Sequence, residues 1–214
     1  MGPDTLKFIL DKFGIKDYGD KFPIDLPDFT RWDMAKMFHD LRFKVGAEIG
    51  TEKGVFMEVL CKQIPGVHLH CIDPWVPYDS GVERHSNEQF VKDAYANAQK
   101  LAEKYHCDLL RMDSMKALHQ FKDNSLDFVY IDGDHRYEPV INDLTEWSNK
   151  VRPGGIIAGH DLTHYRTVYM RTGQAVRMYC LAYKIAPWFS LGRIKTPGLK
   201  KRMDSCRSYM WVKV

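Results

Sequence analysis

The sequence predicts an α/β domain organised around a doubly wound, mostly parallel sheet. Short apolar runs alternate along the chain with longer segments whose apolar residues recur at helical spacing, and such alternation puts helices on both faces of a parallel sheet. Several of these runs are continuously apolar, as strands buried on both faces must be. A length of 214 residues suits one sizeable domain and is short for two.

Residues 1–30 are rich in Pro, Gly and Asp and predict an irregular arm with a short helix. Met34, Met37, Phe38 and Leu41 then follow i, i+3, i+4, i+7, the face of an amphipathic helix. Residues 1–43 are therefore expected to form an N-terminal cap, with the main domain over 44–214. "KVGAEIG" (44–50) reads as a buried strand running into a glycine turn, and Phe56, Val59 and Leu60 mark the helix after it. "VHLHCID" (67–73) is the next strand. Phe90, Ala94, Ala98, Leu101 and Tyr105 share one face of a long helix, with Ser86 or Asn87 as its N-cap. "CDLLRMD" (107–113) is a strand, and a short helix is expected from Met115 to Phe121. "LDFVYID" (126–132) is another strand. Val140, Ile141, Leu144 and Trp147 form a helical face that Pro153-Gly154-Gly155 should stop, and "GIIAGHD" (155–161) follows as a strand. A helix near 166–185 precedes "WFSLGRI" and "SYMWVKV", two final strands able to pair antiparallel at a sheet edge.

Composition narrows the function classes. The apolar fraction of 44% is ordinary for a globular chain, and the net charge of +3 is too small and too mixed to mark a nucleic-acid binder. The basic stretch Arg193 to Arg207 is expected to be a solvated loop. The five cysteines are odd in number and form no CxxC pair, which fits reduced structural thiols and a cytoplasmic setting. No apolar run suggests a signal peptide or a membrane span, so no membrane partner is expected. His68 and His70 alternate along one strand and read as structural.

The strand ends carry the chemistry. Glu48 lies near the end of the 44–50 run; the later runs end on Asp73, Asp113, Asp132 and the pair His160-Asp161. In a parallel sheet these ends share one edge, where ligands bind at the reversal of strand order. Gathered carboxylates there need cations, hydrogen-bond donors or water to offset their repulsion. The turn "EIGTEKG" has Gly50 and Gly54 but puts Glu52 where a dinucleotide fingerprint requires glycine. A carboxylate there repels a pyrophosphate. A ligand with a cationic centre, a ribose diol and an exocyclic amine fits better: Asp73 is placed to accept from the diol and Asp113 from an adenine amine.

At this point the chain resembles the class I S-adenosylmethionine-dependent methyltransferases. "VGAEIGTEKG", "IDPW" and "MDS" resemble that family's first three motifs. The run "LDFVYIDGDHRYEPVINDLTEWSNKVRPGGIIAGHD" resembles more narrowly the small O-methyltransferases of methyltransferase family 24, as does the closing "SYMWVKV". The resemblance implies a Rossmann-like, seven-stranded sheet with an antiparallel C-terminal strand. It implies S-adenosylmethionine bound by Glu48, Gly50, Thr51 and Gly54 around its methionine part, by Asp73 and Trp75 at the ribose, and by Asp113 and Ser114 at the adenine, with Asp132 beside it. It implies a divalent cation, Mg²⁺ or Mn²⁺, on Asp132, His160 and Asp161, with His135 as the base and Asp132 as its catalytic neighbour. The partner is then a small hydroxylated acceptor.

That chemistry is coherent by itself. Methyl transfer from a sulfonium needs an in-line nucleophile, so catalysis is largely positioning and electrostatics. A cation lowers the pKa of a hydroxyl, and an imidazole with an ordinary pKa of about 6.5 can take its proton. Two rivals stand beside this reading. One is a metal-independent or nucleic-acid-directed methyltransferase, for which "IDGDH" replaces the expected D/N-P-P-Y/F. The other is a cofactor-binding module without transfer activity. The acceptor pocket is expected from the N-terminal arm, residues 76–86 and the segment after Asp161, with Trp75, Tyr78, Tyr165, Tyr169 and Trp188 as candidate lining. Oligomeric state is not legible.

Overall fold

The chain packs its strands into one eight-stranded sheet with apolar layers on both faces. A computed structural model describes residues 4–79, 83–162, 170–193 and 206–214. In chain order the elements are α1 (Thr5–Phe13), β1 (Ile24–Leu26), α2 (Arg31–Asp40), β2 (Val45–Ile49), α3 (Val55–Gln63), β3 (His68–Asp73), α4 (Glu83–Ser86), α5 (Glu88–Tyr105), β4 (Asp108–Arg111), α6 (Ser114–Ala117) continued by one tight turn (Leu118–Gln120), β5 (Leu126–Ile131), α7 (Tyr137–Lys150), β6 (Val151–Gly159), α8 (Thr172–Ala182), β7 (Phe189–Leu191) and β8 (Ser208–Val212).

The strand order is β1-β7-β8-β6-β5-β2-β3-β4. β8 is antiparallel to both neighbours; every other pair is parallel. The predicted doubly wound sheet and the antiparallel closing strand are both present. The eighth strand is the addition. β1 lies in the segment expected to be irregular and pairs in register with β7, Ile24 opposite Phe189 and Leu26 opposite Leu191. Three residues are too few to show alternation, and their partner is far along the chain, so nothing local announces the strand.

Helix starts follow local chemistry. Thr30 and Asp33 form a reciprocal capping box on α2, and Asn87 Oδ1 accepts from Phe90 N (2.9 Å) at the start of α5. Met34, Met37 and Phe38 of α2 are buried together with Phe43, Phe56, Phe128 and Tyr130 on one face of the sheet. The N-terminal segment thus shares the sheet's own core. Trp147, Leu144, Val176, Tyr179 and Trp211 fill the other face. Pro153-Gly154-Gly155 lies inside β6 and not at the stop of α7, which ends at Lys150. A register shift in the β5–β6 pairing between Leu126 and Phe128 accommodates it.

A candidate active site at the carboxyl edge of the sheet

Strand order reverses between β2 and β5, and the loops leaving those strands interlock. Gly50, with φ +86°, lies so close to the Asp132–Gly133 backbone that a Cβ would overlap the Asp132 carbonyl. The turn then runs through Glu52 (φ +45°) to Gly54 (φ +76°), which starts α3. Trp75 and Asp161 also have left-handed backbones, at +44° and +54°. Such conformations in residues other than glycine persist only where surrounding contacts hold them, and they gather at working sites.

On the β2–β3 side the carboxylates meet backbone. Asp73 accepts from Glu52 N (2.9 Å) and from Trp75 N (2.7 Å), and the Trp75 indole donates to the Glu52 carbonyl (2.8 Å). Burial nevertheless raises the Asp73 pKa above the usual carboxylate value. The Trp75 ring packs on Tyr95 (4.9 Å) within a small buried cluster under α5. The Glu52 carboxylate points away, toward Arg84 of α4 (3.3 Å). Glu48 is buried. Burial first, and the charge of Asp132 second, push its pKa well up, with the Thr51 hydroxyl and Arg31 opposing. Among the described residues, Glu48 Oε2 and Thr51 Oγ1 are buried and have no close hydrogen-bond partner beyond their approach to each other.

On the β5–β6 side the carboxylates meet imidazoles. His135 Nε2 lies 3.0 Å from Asp161 Oδ2 and 3.7 Å from Asp132 Oδ1. His160 Nδ1 lies 3.2 Å and 3.7 Å from the same two oxygens. Ligand atoms of Asp132, His135 and Asp161 converge within 4.8 Å. Burial works to lower the His135 pKa, but Asp132 and Asp161 override it and push it up to about 10. Burial raises Asp132, partly offset by both histidines. Burial works to raise Asp161 as well, yet His135 and His160 hold it well below the usual range.

Two functional neighbours escaped the sequence reading. Arg31, the first residue of α2, reaches within 3.6 Å of Asp132 Oδ2 and lies over the Phe56 ring. Asp143 of α7 is buried; burial pushes its pKa up to about 7 while it accepts from Ser114 Oγ (2.6 Å). Its position between Val140, Leu144 and Trp147, an acid on an apolar helical face, was the available signal. Ser114 is therefore tied to α7, and Asp113 Oδ1 caps α6 through Met115 N (2.9 Å). Tyr165 and Tyr169 lie outside the described residues, as does most of the basic stretch; its ends are used internally, Arg193 on Asp28 (3.1 Å) and Arg207 on Asp25 (2.6 Å). Trp188 is buried in the core. No helix among the described residues is long and apolar enough to cross a membrane.

A family model described as a methyltransferase domain matches residues 47–162, from β2 through the His160-Asp161 pair. The chain belongs to that methyltransferase family. This methyltransferase domain is 30% identical over 120 residues to protein R132 of Acanthamoeba polyphaga mimivirus, a match covering 56% of the chain and 52% of R132. The chain thus spans about half the length of that relative. Its fold is similar to an O-methyltransferase from Bacillus cereus solved in complex with SAH, at a TM-score of 0.60 and 16% identity, covering 100% of this chain and 92% of that one. It is similar also to the O-methyltransferase TomG from Streptomyces achromogenes, solved with SAM, at a TM-score of 0.56 and 15% identity, covering 100% and 91%.

Proposed function

We propose that this chain transfers the methyl group of S-adenosylmethionine to a hydroxyl of a small-molecule acceptor, assisted by Mg²⁺ or Mn²⁺. The observation that carries the reading is the pairing, at one strand-order reversal, of a buried polar pair, Glu48 and Thr51, that has no close partner beyond itself with a cluster of two carboxylates and two imidazoles.

The residues fit both groups. Glu48 Oε2 and Thr51 Oγ1 have capacity for the ammonium end of an amino acid, and the close-packed Gly50 turn leaves that approach free of side chain. Asp73, fixed by two backbone donors, keeps lone pairs for a ribose diol. Asp132 and Asp161 are hard oxygen donors, and His160 completes a set that suits Mn²⁺ at least as well as Mg²⁺. When bound, the sulfonium supplies an electrophilic methyl group and the cation supplies charge that acidifies a nearby hydroxyl. Between the imidazoles, His135 is the one assigned to take the acceptor's proton, because its side chain is 20% exposed against 7% for His160. With its pKa pushed up to about 10 by the two facing carboxylates, it is protonated at neutral pH. A cation held by Asp132 and Asp161 would weaken that field and lower the pKa of the ring, so that it could act as a base. A nucleic-acid acceptor finds less support, since the described ends of the basic stretch are paired within the fold.

Titration with S-adenosylhomocysteine, with NAD and with Mn²⁺ tests this before any acceptor is known. The wild type should bind the first and not the second. Asp132→Asn and Asp161→Asn should each weaken Mn²⁺ binding by about 10-fold or more and leave S-adenosylhomocysteine affinity within a few-fold. Asp73→Ala should do the reverse. Equal loss of nucleoside binding in all three variants sinks the metal assignment, and NAD binding in place of S-adenosylhomocysteine sinks the cofactor.

A further inference from the structure

At the opposite end of β3 from Asp73, two histidines and a carboxylate face one another. We propose that His68, His70 and Asp108 form a second metal site, for a transition-metal cation such as Zn²⁺, distinct from the cluster at the carboxyl edge.

The geometry follows from the sheet. Residues 68 and 70 lie two apart on one strand, so both side chains project from the same face. Asp108 opens the neighbouring parallel strand and is the register partner of His70. Its carboxylate reaches both rings: Asp108 Oδ2 lies 2.7 Å from His68 Nε2 and 3.1 Å from His70 Nδ1. The three ligand atoms fall within 4.8 Å of one another. Ligands about 2.1 Å from a tetrahedral zinc stand about 3.4 Å apart, so the observed contacts need to open by only about half an ångström.

The rings are already oriented. His68 and His70 lie 4.4 Å apart, and Phe121 packs edge-on against His70 at 4.9 Å. His70 is half-buried, while His68 and Asp108 are open to solvent, which gives an ion its entry path. His70 and Asp108 also border a cavity of about 580 Å³ lined by Gln120, Phe121 and Lys122. Three protein ligands leave a fourth position for water on that side, the arrangement of an open zinc site and not of a closed structural one. Two imidazoles with one carboxylate favour zinc and its neighbours over Mg²⁺, which prefers oxygen. The site is separated from Asp73 along β3 by three strand steps from His70, about 10 Å, and five from His68, about 16 Å. β4 is the last strand of the sheet, so an ion here would clip an edge strand to its neighbour.

The test is titration of the full chain with Zn²⁺, and with Co²⁺ for its visible spectrum. Three forms are compared: wild type, the double variant Asp132→Asn/Asp161→Asn, and the double variant His68→Gln/His70→Gln. The carboxyl-edge variant should retain one tight Zn²⁺ equivalent and a Co²⁺ spectrum of low-coordinate form. The histidine variant should lose that equivalent, with affinity down at least about 10-fold, while binding S-adenosylhomocysteine like the wild type. Asp108→Asn, at an exposed position, should weaken Zn²⁺ similarly. Unchanged Zn²⁺ stoichiometry and affinity in the histidine variant and in Asp108→Asn would overturn the proposal. So would loss of all Zn²⁺ binding in the carboxyl-edge variant. Neither result bears on the methyl-transfer reading, which stands on S-adenosylhomocysteine and Mn²⁺.

Discussion

On the β2–β3 side of the sheet's carboxyl edge, acids are answered by the backbone: Asp73 is held by two N–H groups, and the Trp75 indole closes the loop onto the Glu52 carbonyl. On the β5–β6 side they are answered by ionisable rings: Asp132 and Asp161 share two imidazoles, with Arg31 close behind Asp132. Backbone donors are neutral and fixed, so the first half has no proton of its own to exchange. Imidazoles exchange protons, so the charge of the second half is adjustable. One edge thus divides into a rigid holder and a charge-adjustable centre.

The two halves touch at Gly50, and breaking that contact should produce the largest effect. Gly50→Ala adds a Cβ at φ +86° against the Asp132 carbonyl and the Gly133 backbone, neither of which can rotate away. The expected cost exceeds about 4 kcal/mol, the range reached when strain and overlap coincide. Gly54→Ala carries a left-handed backbone too, but meets mainly the flexible side chains of Met57 and Leu101, so its cost should be clearly smaller. Thermal unfolding of both variants, followed by S-adenosylhomocysteine and Mn²⁺ titration, checks this. Equal unfolding temperatures for the two would mean that the loops are not interlocked.

Asp143 has neither kind of answer, and so sharpens the contrast. It is buried with Ser114 as its hydrogen-bond donor, and its pKa is pushed up to about 7. The sign follows directly. A carboxyl whose folded pKa lies above its unfolded value near 3.8 keeps a proton that the unfolded chain has lost, so stability falls as pH rises from about 4 to about 7 and stays lower above that. Asp143→Asn keeps an acceptor for Ser114 and removes the ionisation. It should be more stable than the wild type at pH 8, by up to about 4 kcal/mol at about 1.4 kcal/mol per unit, and no more stable at pH 4. Urea unfolding of both proteins at the two pH values measures it; a pH-independent difference would mean that the gain has another source.

Periodicity made most of this frame legible. Strands 44–50, 67–73 and 126–132 and the helical faces at Met34–Leu41 and Val140–Trp147 announce themselves because burial repeats locally. The strand-end acids were legible as positions, since a parallel sheet sends its strand ends to one edge. What each acid touches was not. Asp73 meets the N–H of Glu52, 21 residues away, and Asp132 meets Arg31 from a helix that precedes the sheet's central strand. β1 was hidden for the same reason, its partner lying far along the chain. Spacing along a strand reports which face a side chain takes, whereas partners across strands depend on register, which one sequence does not print.

The smallest expected effect isolates the rigid half. Trp75→Phe keeps an aromatic ring against Tyr95 but deletes the indole N–H that reaches the Glu52 carbonyl, together with part of a buried ring. The hydrogen bond is worth about 1 kcal/mol net and the lost ring volume adds to it, so the melting temperature should drop by at least about 2–4 °C for a chain of this size. Glu52 sits at φ +45° and donates to Asp73, so losing the peg loosens a donor that fixes the Asp73 carboxylate. Affinity for S-adenosylhomocysteine should then fall by no more than about fivefold, the equivalent of 1 kcal/mol. Affinity for Mn²⁺ should not move, because the indole's contacts with Tyr95 and the Glu52 carbonyl lie on the β2–β3 side. If calorimetry shows both affinities falling by the same factor, the holder and the charge centre are one mechanical unit, and the division drawn between them fails.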